Sequence, residues 1–595
     1  MEKKNIYLLV GGIALVILSI GVSFAWWGWT STNNTNVTFT INGLDIIATN
    51  TDIEGNVDPV SSKENGIVEE FTVKQKGNNG DVPICADFTL TLTTLPTELQ
   101  EPSFKYSIYN GTTQVGTGSF ENSKQGDVIT IATSQPVTTT ESTYKVYVWI
   151  DGNMDNPLTM GGKHFLFTLG IIASQQEGAC TPSKVINASA PVLAEGMIPI
   201  KWNGSNWVKA DSTNSSNDWY DYKGKKWANA VMVNATSRDN YMNAEEGTTI
   251  TEDDVLAYYV WIPRYKYQLF NVNSKTMAPI LINVQFESKT TAKSAGSSNG
   301  EWLTHPAFTF GTTELDGIWV GKFETSGTAD NPTIKAGLDS LVEQNVSTQF
   351  VTSQKFASGT TYLTANGASQ IDAHIMKNTE WGAVAYLKQS KYGLGTTDIG
   401  NNAYVKRYGD YSATYKAGCG PASETDLTSE TDTCTSYTST AGVKSSTTGN
   451  IYGVYDMAGG VYDCVMGVIQ DNTNTNTPMS GSTDRRYNSG FTGKVYNNGY
   501  YPLYTGTAFP SSKYYDLYAF GTTYNDSSAY ARRILGDATS ETRGWYDDGV
   551  YFAYAEDPWF IRGGGAFDGS RASVFKAYYS TGDEGIFRSV LALGA

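Results

Sequence analysis

The chain has 595 residues, too many for one ordinary domain, and a formal net charge of −17. Charged residues make up only 17% of it, while glycine occurs 60 times and tyrosine 38 times, which favours a β-rich extracellular protein over a helical cytosolic enzyme. The negative charge excludes the basic surface that nucleic acid or an anionic membrane surface would require of a partner.

Residues 1–30 form a predicted targeting segment. Two lysines precede an apolar run from Ile6 to Ile20, and the residues at 23–25 resemble a signal-peptidase site. Apolar residues continue beyond this site, so the segment is long enough to span a bilayer. We predict that it is either a cleaved signal peptide or a membrane anchor, and that the rest of the chain is extracellular, at the cell surface.

Five cysteines in an exported chain predict disulfide bonds. Cys85 and Cys180 lie in one N-terminal block, and Cys419 and Cys434 lie in one later segment, so we predict these two pairs. A Cys85–Cys180 bridge would stabilise its domain by roughly 4–5 kcal/mol if it acts by restricting the unfolded chain. Cys464 remains and is predicted to be a buried thiol.

Residues 31–180 are predicted to form an all-β sandwich domain. Apolar and polar residues alternate at 36–41, 86–92, 144–150 and 165–169, with Asn, Gly, Thr and Pro clusters between these runs. The start of this region, Phe-Ala-Trp-Trp-Gly-Trp-Thr-Ser-Thr-Asn-Asn, resembles the N-termini of camelysin and biofilm-fibre proteins of Gram-positive bacteria. That resemblance implies a structural surface-fibre subunit as one alternative function.

A candidate calcium loop lies late in this region. Asp151, Asn153 and Asp155 place oxygen atoms at alternate positions, as the ligands of a calcium loop are placed. An EF-hand, however, has Gly at its sixth position and Glu at its twelfth, where this chain has Asn156 and Gly162. We therefore favour an ordinary Asx-rich turn and keep Ca²⁺ as an open alternative. No other cofactor is expected.

Residues 181–255 are predicted to form a small connector of two β-hairpins. The first turns at an Asn-Gly pair at 203–204, and the second turns around Lys223 and Gly224. Their tryptophans either stack on sugar rings or pack across the strands, and we favour packing. These residues are Trp202, Trp207, Trp219 and Trp227.

From residue 256 onward, several stretches resemble one family in the same order. They are Tyr259-Val-Trp-Ile-Pro263, Gly321-Lys-Phe-Glu-Thr325, Asn378-Thr-Glu-Trp381 with Ala385-Tyr386, Asn450-Ile-Tyr-Gly-Val-Tyr-Asp-Met457 with Gly459-Gly-Val-Tyr-Asp463, and Arg562-Gly-Gly564 with Phe587-Arg588. They are similar to motifs of the formylglycine-generating-enzyme family, also called the sulfatase-modifying-factor family. The resemblance implies an α+β domain of the C-type-lectin type over residues 256–595, with 401–445 and 470–545 as inserted loops.

The family's oxidase activity depends on a late pair of cysteines that binds copper, and this chain has no cysteine after Cys464. Its three histidines, at positions 164, 305 and 374, have no metal-ligand spacing. The chain therefore resembles a non-catalytic member of the family, with Asp456 and Asp463 in structural roles. A copper-dependent oxidase remains the enzymatic alternative.

The segment 561–588 is the predicted ligand-binding region. Polar and aromatic residues alternate there with glycine and apolar residues, a composition typical of binding surfaces such as antibody paratopes. The expected ligand-binding residues are Phe567, Asp568, Ser570, Arg571, Ser573, Lys576, Tyr578 and Tyr579. The segment also resembles the C-terminal variable region of proteins that retroelements diversify. The alternative, a terminal core hairpin, is compatible because alternate strand residues face opposite ways.

These observations predict an exported bacterial cell-surface protein, either an adhesin or a ligand-display protein. Its expected partner is a protein or glycan ligand on another surface, and its N-terminal helix would contact the membrane.

Overall fold

The computed structural model describes residues 36–41, 44–49, 52–76, 84–121, 123–152, 157–175, 189–214, 218–273, 278–358, 371–408, 412–473, 476–482, 488–583 and 585–593. The chain is mostly β, with several sheets, and divides into two compact units, Met1–Asn187 and Ala188–Ala595. The predicted N-terminal helix at 1–30 lies outside the described residues. Within the described ranges, no helix is both long and apolar enough to cross a membrane.

The described residues of the first unit form two sheets. Its strands are β1 (Asn36–Ile41), β2 (Leu44–Thr49), β3 (Asp52–Val57), β4 (Pro59–Val60), β5 (Ile67–Lys76), β6 (Ile84–Thr94), β7 (Phe104–Asn110), β8 (Thr113–Ser119), β9 (Val128–Val137), β10 (Ser142–Asp151) and β11 (Lys163–Gln175). One sheet has the order β1-β2-β5-β10-β7-β8, with β4 beside β10, and the other has the order β3-β11-β6-β9.

Both sheets contribute to one hydrophobic core. Phe88 of one sheet packs against Phe71 and Tyr144 of the other, with ring centroids 4.9 and 4.6 Å apart. The period-2 alternation that predicts these strands directs every second side chain into this core. Cys85 is disulfide-bonded, and its predicted partner, Cys180, lies outside the described residues.

The described part of the second unit has many short strands and four α-helices. The strands are β12 (Ile198–Trp202), β13 (Trp207–Lys209), β14 (Asn229–Val233), β15 (Val255–Pro263), β16 (Tyr265–Gln268), β17 (Val284–Phe286), β18 (Trp302–Thr304), β19 (Thr309–Phe310), β20 (Thr313–Glu314), β21 (Gly317–Gly321), β22 (Ser326–Gly327), β23 (Pro332–Thr333), β24 (Ile371–Ile375), β25 (Lys406–Arg407), β26 (Ala413–Thr414), β27 (Cys419–Gly420), β28 (Thr435–Ser436), β29 (Asp463–Ile469), β30 (Met479–Ser482), β31 (Gly493–Tyr496), β32 (Leu503–Tyr504), β33 (Asp516–Tyr518), β34 (Trp559–Arg562), β35 (Ala577–Ser580), β36 (Ile586–Phe587) and β37 (Ser589–Leu593). The helices are α1 (Ala235–Asn243), α2 (Val346–Gln354), α3 (Asn378–Lys388) and α4 (Ser527–Ala531).

The largest sheet of this unit corrects the predicted connector. Its order is β13-β12-β14-β15-β21-β37-β24, so the strands assigned to a connector at 181–255 continue directly into the sheet of the second unit. Trp207, Trp219 and Trp227 are buried in the core of that unit, which agrees with packing rather than with exposure to sugars. The sequence pattern did not show which strand these residues pair with, because that strand, β15, lies almost entirely beyond the predicted boundary at residue 255.

A second sheet has the order β33-β29-β34-β35, with β36 beside β29. It includes the strands of the predicted ligand-binding segment, 561–588. Helix α3 packs between the sheets with all its residues buried, and its Trp381 ring nitrogen donates to the Val574 carbonyl at 2.7 Å. Cys419 and Cys434 form a disulfide, and Cys464 carries a buried thiol.

Candidate functional site

The stretch 450–467 is a buried segment that packs beneath the predicted ligand-binding segment, 561–588. The Asp456 carboxylate accepts the backbone N–H groups of Glu324 at 3.0 Å and Gly418 at 2.8 Å. Burial raises the pKa of Asp463 to about 7, with Arg588 at 3.4 Å opposing the rise. Both aspartates are fully buried and hold backbone or an internal cation, so the contacts give them structural roles.

Two glycines end β34 and set the course of the chain into the site. Gly563 and Gly564 have φ values of +81° and +79°, which side chains with a Cβ rarely adopt. A Cβ on Gly564 would also lie 3.0 Å from Ala572. This turn leads into a short 3₁₀ helix, Ala566–Arg571, which joins β34 to β35.

The structure divides the eight predicted ligand-binding residues into two groups. The side chains that reach the surface are Phe567, Asp568, Ser570, Arg571, Tyr578 and Tyr579, of which Asp568 and the tyrosines are half-buried. Ser573 is fully buried and donates to the carboxyl group of Asp548, and Lys576 is 5% exposed. These two residues were wrongly placed on the ligand face, because the chain between the 3₁₀ helix and β35 turns into the core.

The Asp568 carboxylate stabilises the 3₁₀ helix and is already paired within the protein. It accepts the backbone N–H of Gly565 at 2.8 Å and pairs with the Lys576 ammonium at 2.8 Å. Burial opposes its ionised form, but the hydrogen bonds from Lys576 and Tyr462 outweigh burial, so the pKa of Asp568 falls below its ordinary value. The ion pair therefore fixes the position from which Phe567 reaches solvent.

Five tyrosines from three separate segments pack together beside this helix, and we name them the tyrosine cluster. They are Tyr524, Tyr551, Tyr554, Tyr578 and Tyr579. Ring centroids of neighbours lie between 4.4 Å, for Tyr578 and Tyr579, and 6.3 Å, for Tyr551 and Tyr579. The rings are partly exposed, so the cluster forms an aromatic surface with hydroxyl groups at its edge.

The hydroxyl groups of Tyr554 and Tyr579 stay protonated near neutral pH. The hydrogen bond between the Tyr578 and Tyr579 hydroxyls, whose oxygens lie 3.3 Å apart, raises the pKa of Tyr579, and burial raises it further. Burial and the nearby carboxylates of Asp557 and Glu556 raise the pKa of Tyr554. The cluster can therefore donate as well as accept hydrogen bonds, and its negative neighbours disfavour polyanionic ligands.

Tyr462 extends the aromatic surface towards Phe567. Its ring centroid lies 6.1 Å from that of Phe567, and the Lys576 ammonium lies 5.4 Å from the Tyr462 centroid. Phe567 is 49% exposed and is the most open aromatic side chain of this region. The surface thus runs from a phenylalanine beside Arg571 to a tyrosine-rich, acidic end.

The late segment alone predicts only part of this surface. Tyr462, Tyr524, Tyr551 and Tyr554 come from other parts of the chain. Residues 514–554 are dense in tyrosine, and that density was the available signal, although much of the stretch was predicted to be an inserted loop.

Most of the predicted calcium loop lies outside the described residues. Asn153 and Asp155 lie outside the described residues, and the Asp151 carboxylate pairs with the Lys105 ammonium at 2.9 Å. Across the described part of the chain, no group of three or more His, Cys, Asp or Glu side chains has the arrangement of a metal site. The described contacts thus supply Asp151 with a cation from the protein itself.

No model of a known protein family matches the chain, and no curated protein sequence matches it.

Proposed function

We propose that this chain is an exported cell-surface binding protein of a bacterium, an adhesin or a ligand-display protein. In this proposal, residues 1–30 are a signal peptide or membrane anchor, and the first unit is a β-sandwich stalk. The second unit is a non-catalytic domain of the C-type-lectin type that resembles the formylglycine-generating-enzyme family. The observation that carries the proposal is the tyrosine cluster, which joins three distant segments into one partly exposed aromatic surface.

Contacts among the motifs that carry the family resemblance support this view of the second unit. The ammonium of Lys322, from the Gly-Lys-Phe-Glu-Thr motif, donates to the carbonyls of Ile451 at 2.6 Å and Gly453 at 2.9 Å. Arg588, from the last motif, donates to the Gly321 carbonyl at 2.9 Å. Motifs far apart in the sequence therefore meet in one buried network.

The chemistry of the surface favours a protein or glycan ligand. Tyrosine rings supply large contact area at a small cost in side-chain entropy, and their hydroxyls form adaptable hydrogen bonds. The ring contacts within the cluster already restrict the side chains, so binding loses less conformational freedom. Phe567, Ser570 and Arg571 lie on an exposed turn, where substitutions would change the ligand without disturbing the core.

The direct test replaces both Tyr578 and Tyr579 with alanine in the full chain. Removal of two central aromatic contacts should weaken binding to the ligand by roughly 30-fold or more, because such residues dominate binding energy in many interfaces. Binding would be measured on a glycan array and on cultured host cells, and circular dichroism would establish that the variant remains folded.

Tyr500→Ala is the matched control, because Tyr500 is 75% exposed and lies outside the cluster. It should bind as the original chain does. A folded double variant with unchanged binding would refute the assignment of the ligand face. Retroelement diversification has a separate test: a reverse-transcriptase gene beside a near-repeat of the sequence encoding residues 560–590 is expected.

A further inference from the structure

The first unit carries a shallow trough on the outer face of one sheet, remote in sequence from the tyrosine cluster. Its volume is about 520 Å³. The side chains used in the argument are Lys63, Lys105, Ser107, Gln114, Thr117 and Trp149, all of which line it. Strands β7, β8 and β10 supply every one of them except Lys63, which belongs to the turn before β5.

Strand register explains why these side chains share a face. Lys105 lies opposite Trp149 on β10, and Ser107 lies opposite Thr117 on β8. Phe104, Tyr106 and Ile108 alternate with them and enter the core. Lys105 and Ser107 therefore point outward, on the side of the sheet away from the core.

The floor of the trough contains a buried hydroxyl that lacks a partner. Ser107 is 2% exposed, and among the described residues its Oγ has no hydrogen-bond partner. The neighbouring Thr117 hydroxyl donates to the Tyr106 carbonyl at 3.0 Å and makes no hydrogen bond with Ser107. A buried hydroxyl left without a hydrogen bond is unfavourable, and Ser107 lines the trough, so a polar group that displaces the side chains covering its Oγ would gain a hydrogen bond there.

The two ammonium groups at the trough are each paired with a carboxylate. Lys105 pairs with Asp151 at 2.9 Å, and Lys63 pairs with Glu64. The trough therefore has little net charge to select a phosphate or another anion. Trp149, which is half-buried, offers an aromatic face beside these polar groups.

We propose that this trough binds a neutral saccharide. A sugar ring has apolar C–H groups on its faces and hydroxyls at its rim, so one ring face would pack on Trp149 while a hydroxyl bonds to Ser107. Gln114 and Lys105 lie where further hydroxyls of the same sugar would reach. The site would be independent of the tyrosine cluster and would give the protein a second means of attachment.

The test uses the full chain in a detergent without a sugar headgroup. Neutral and anionic oligosaccharides would be screened on an array, and hits would be measured by isothermal titration calorimetry. We expect at least one neutral oligosaccharide to bind, and Trp149→Ala to weaken its affinity about tenfold or more. Trp149→Tyr should retain part of the affinity, because it keeps an aromatic face.

The variant Ser107→Ala tests whether the Ser107 hydroxyl binds the saccharide or stabilises the fold. If the hydroxyl serves the ligand, this variant should lose roughly three- to tenfold in affinity without a fall in Tm, because no internal hydrogen bond is lost. Tyr500→Ala and the Tyr578→Ala, Tyr579→Ala double variant should bind the saccharide normally. The double variant thus separates this site from the proposed ligand face.

Three outcomes would overturn the proposal. They are the absence of binding to any neutral oligosaccharide, binding that Trp149→Ala leaves unchanged, and a Ser107→Ala variant that loses stability but not affinity. Binding restricted to anionic saccharides would also count against it.

Discussion

Asp548 offers a sharp test of the interior that supports the candidate ligand face. It is 5% exposed and accepts the hydrogen bond of Ser573, while its other oxygen has no hydrogen-bond partner within the described ranges. Burial raises its pKa to about 9, although Ser573 and the more distant Lys576 and Lys388 favour the ionised form. The folded protein therefore holds Asp548 protonated at pH 7.

The direction of the linked stability change follows from this shift. In the unfolded chain, the carboxyl ionises near its ordinary value of 3.8, whereas the folded protein keeps the proton until about pH 9. The contribution of Asp548 to the free energy of unfolding is therefore most favourable below pH 3.8 and falls as the pH rises towards 9. At about 1.4 kcal/mol per pH unit, this one group costs the folded state roughly 4 kcal/mol at pH 7.

Asp548→Asn removes the titration and keeps the shape of the side chain. We expect it to raise the free energy of unfolding by about 1–4 kcal/mol at pH 7 and by much less at pH 4. Urea unfolding at pH 4, 7 and 9 measures the difference between variant and original chain. The control is Asp547→Asn, because Asp547 is exposed and its φ of +61° is one that asparagine tolerates.

The reasoning about Asp548 would be refuted by a loss of stability of similar size at all three pH values. Such a result would mean that the pKa of Asp548 does not differ between the folded and the unfolded chain. An equal gain from Asp547→Asn would also refute it, because the effect would then arise from surface charge.

Three further predictions concern other parts of the second unit. Glu380→Gln should lower the free energy of unfolding by about 3–5 kcal/mol at pH 5.5 and by less at pH 8.5, as measured by urea unfolding. The Glu380 carboxylate lies 3.1 Å from the buried His374 ring and helps to raise its pKa, so the variant leaves the imidazolium without this partner. An equal cost at both pH values would contradict this. Replacing Cys419 and Cys434 by serine should lower stability by about 3 kcal/mol, as expected for a 15-residue loop, and an unchanged Tm would argue against it. The purified chain should show no copper-dependent oxygen consumption, and activity above a blank would favour the oxidase alternative.

The local pattern of the sequence predicts much of the first unit. Alternation of apolar and polar residues at 144–150 and 165–169 identifies β10 and β11, because one face of each strand is buried and every second residue is therefore apolar. The hairpin of β12 and β13 is also visible, whereas the predicted second hairpin is reduced to one bridge between Asp221 and Lys226, and β14 pairs with β12 instead. The membership of these strands in the second unit is not visible. That membership depends on pairing with β15, a contact that no local pattern encodes.

The candidate site is predictable only where it follows the local sequence. Phe567, Tyr578 and Tyr579 reach the surface as expected, whereas Ser573 and Lys576 do not, because a turn in the backbone changes the alternation that a straight strand would have. Tyr524 and Tyr551 join the surface through tertiary contacts alone. Composition predicts an exposed aromatic surface in this part of the chain, but the identities of its members required the fold.

In the proposed function, the face would hold a ligand rather than transform one. A nucleophile or a general base requires a lowered pKa or an accessible neighbour that accepts its proton, yet the pKa values of Tyr554 and Tyr579 are raised. Lys576 is neutralised by Asp568, so the nearest ammonium is bound to the scaffold. Because the charged groups hold the 3₁₀ helix while the aromatic rings meet solvent, substitutions at the exposed positions would alter binding without releasing the scaffold.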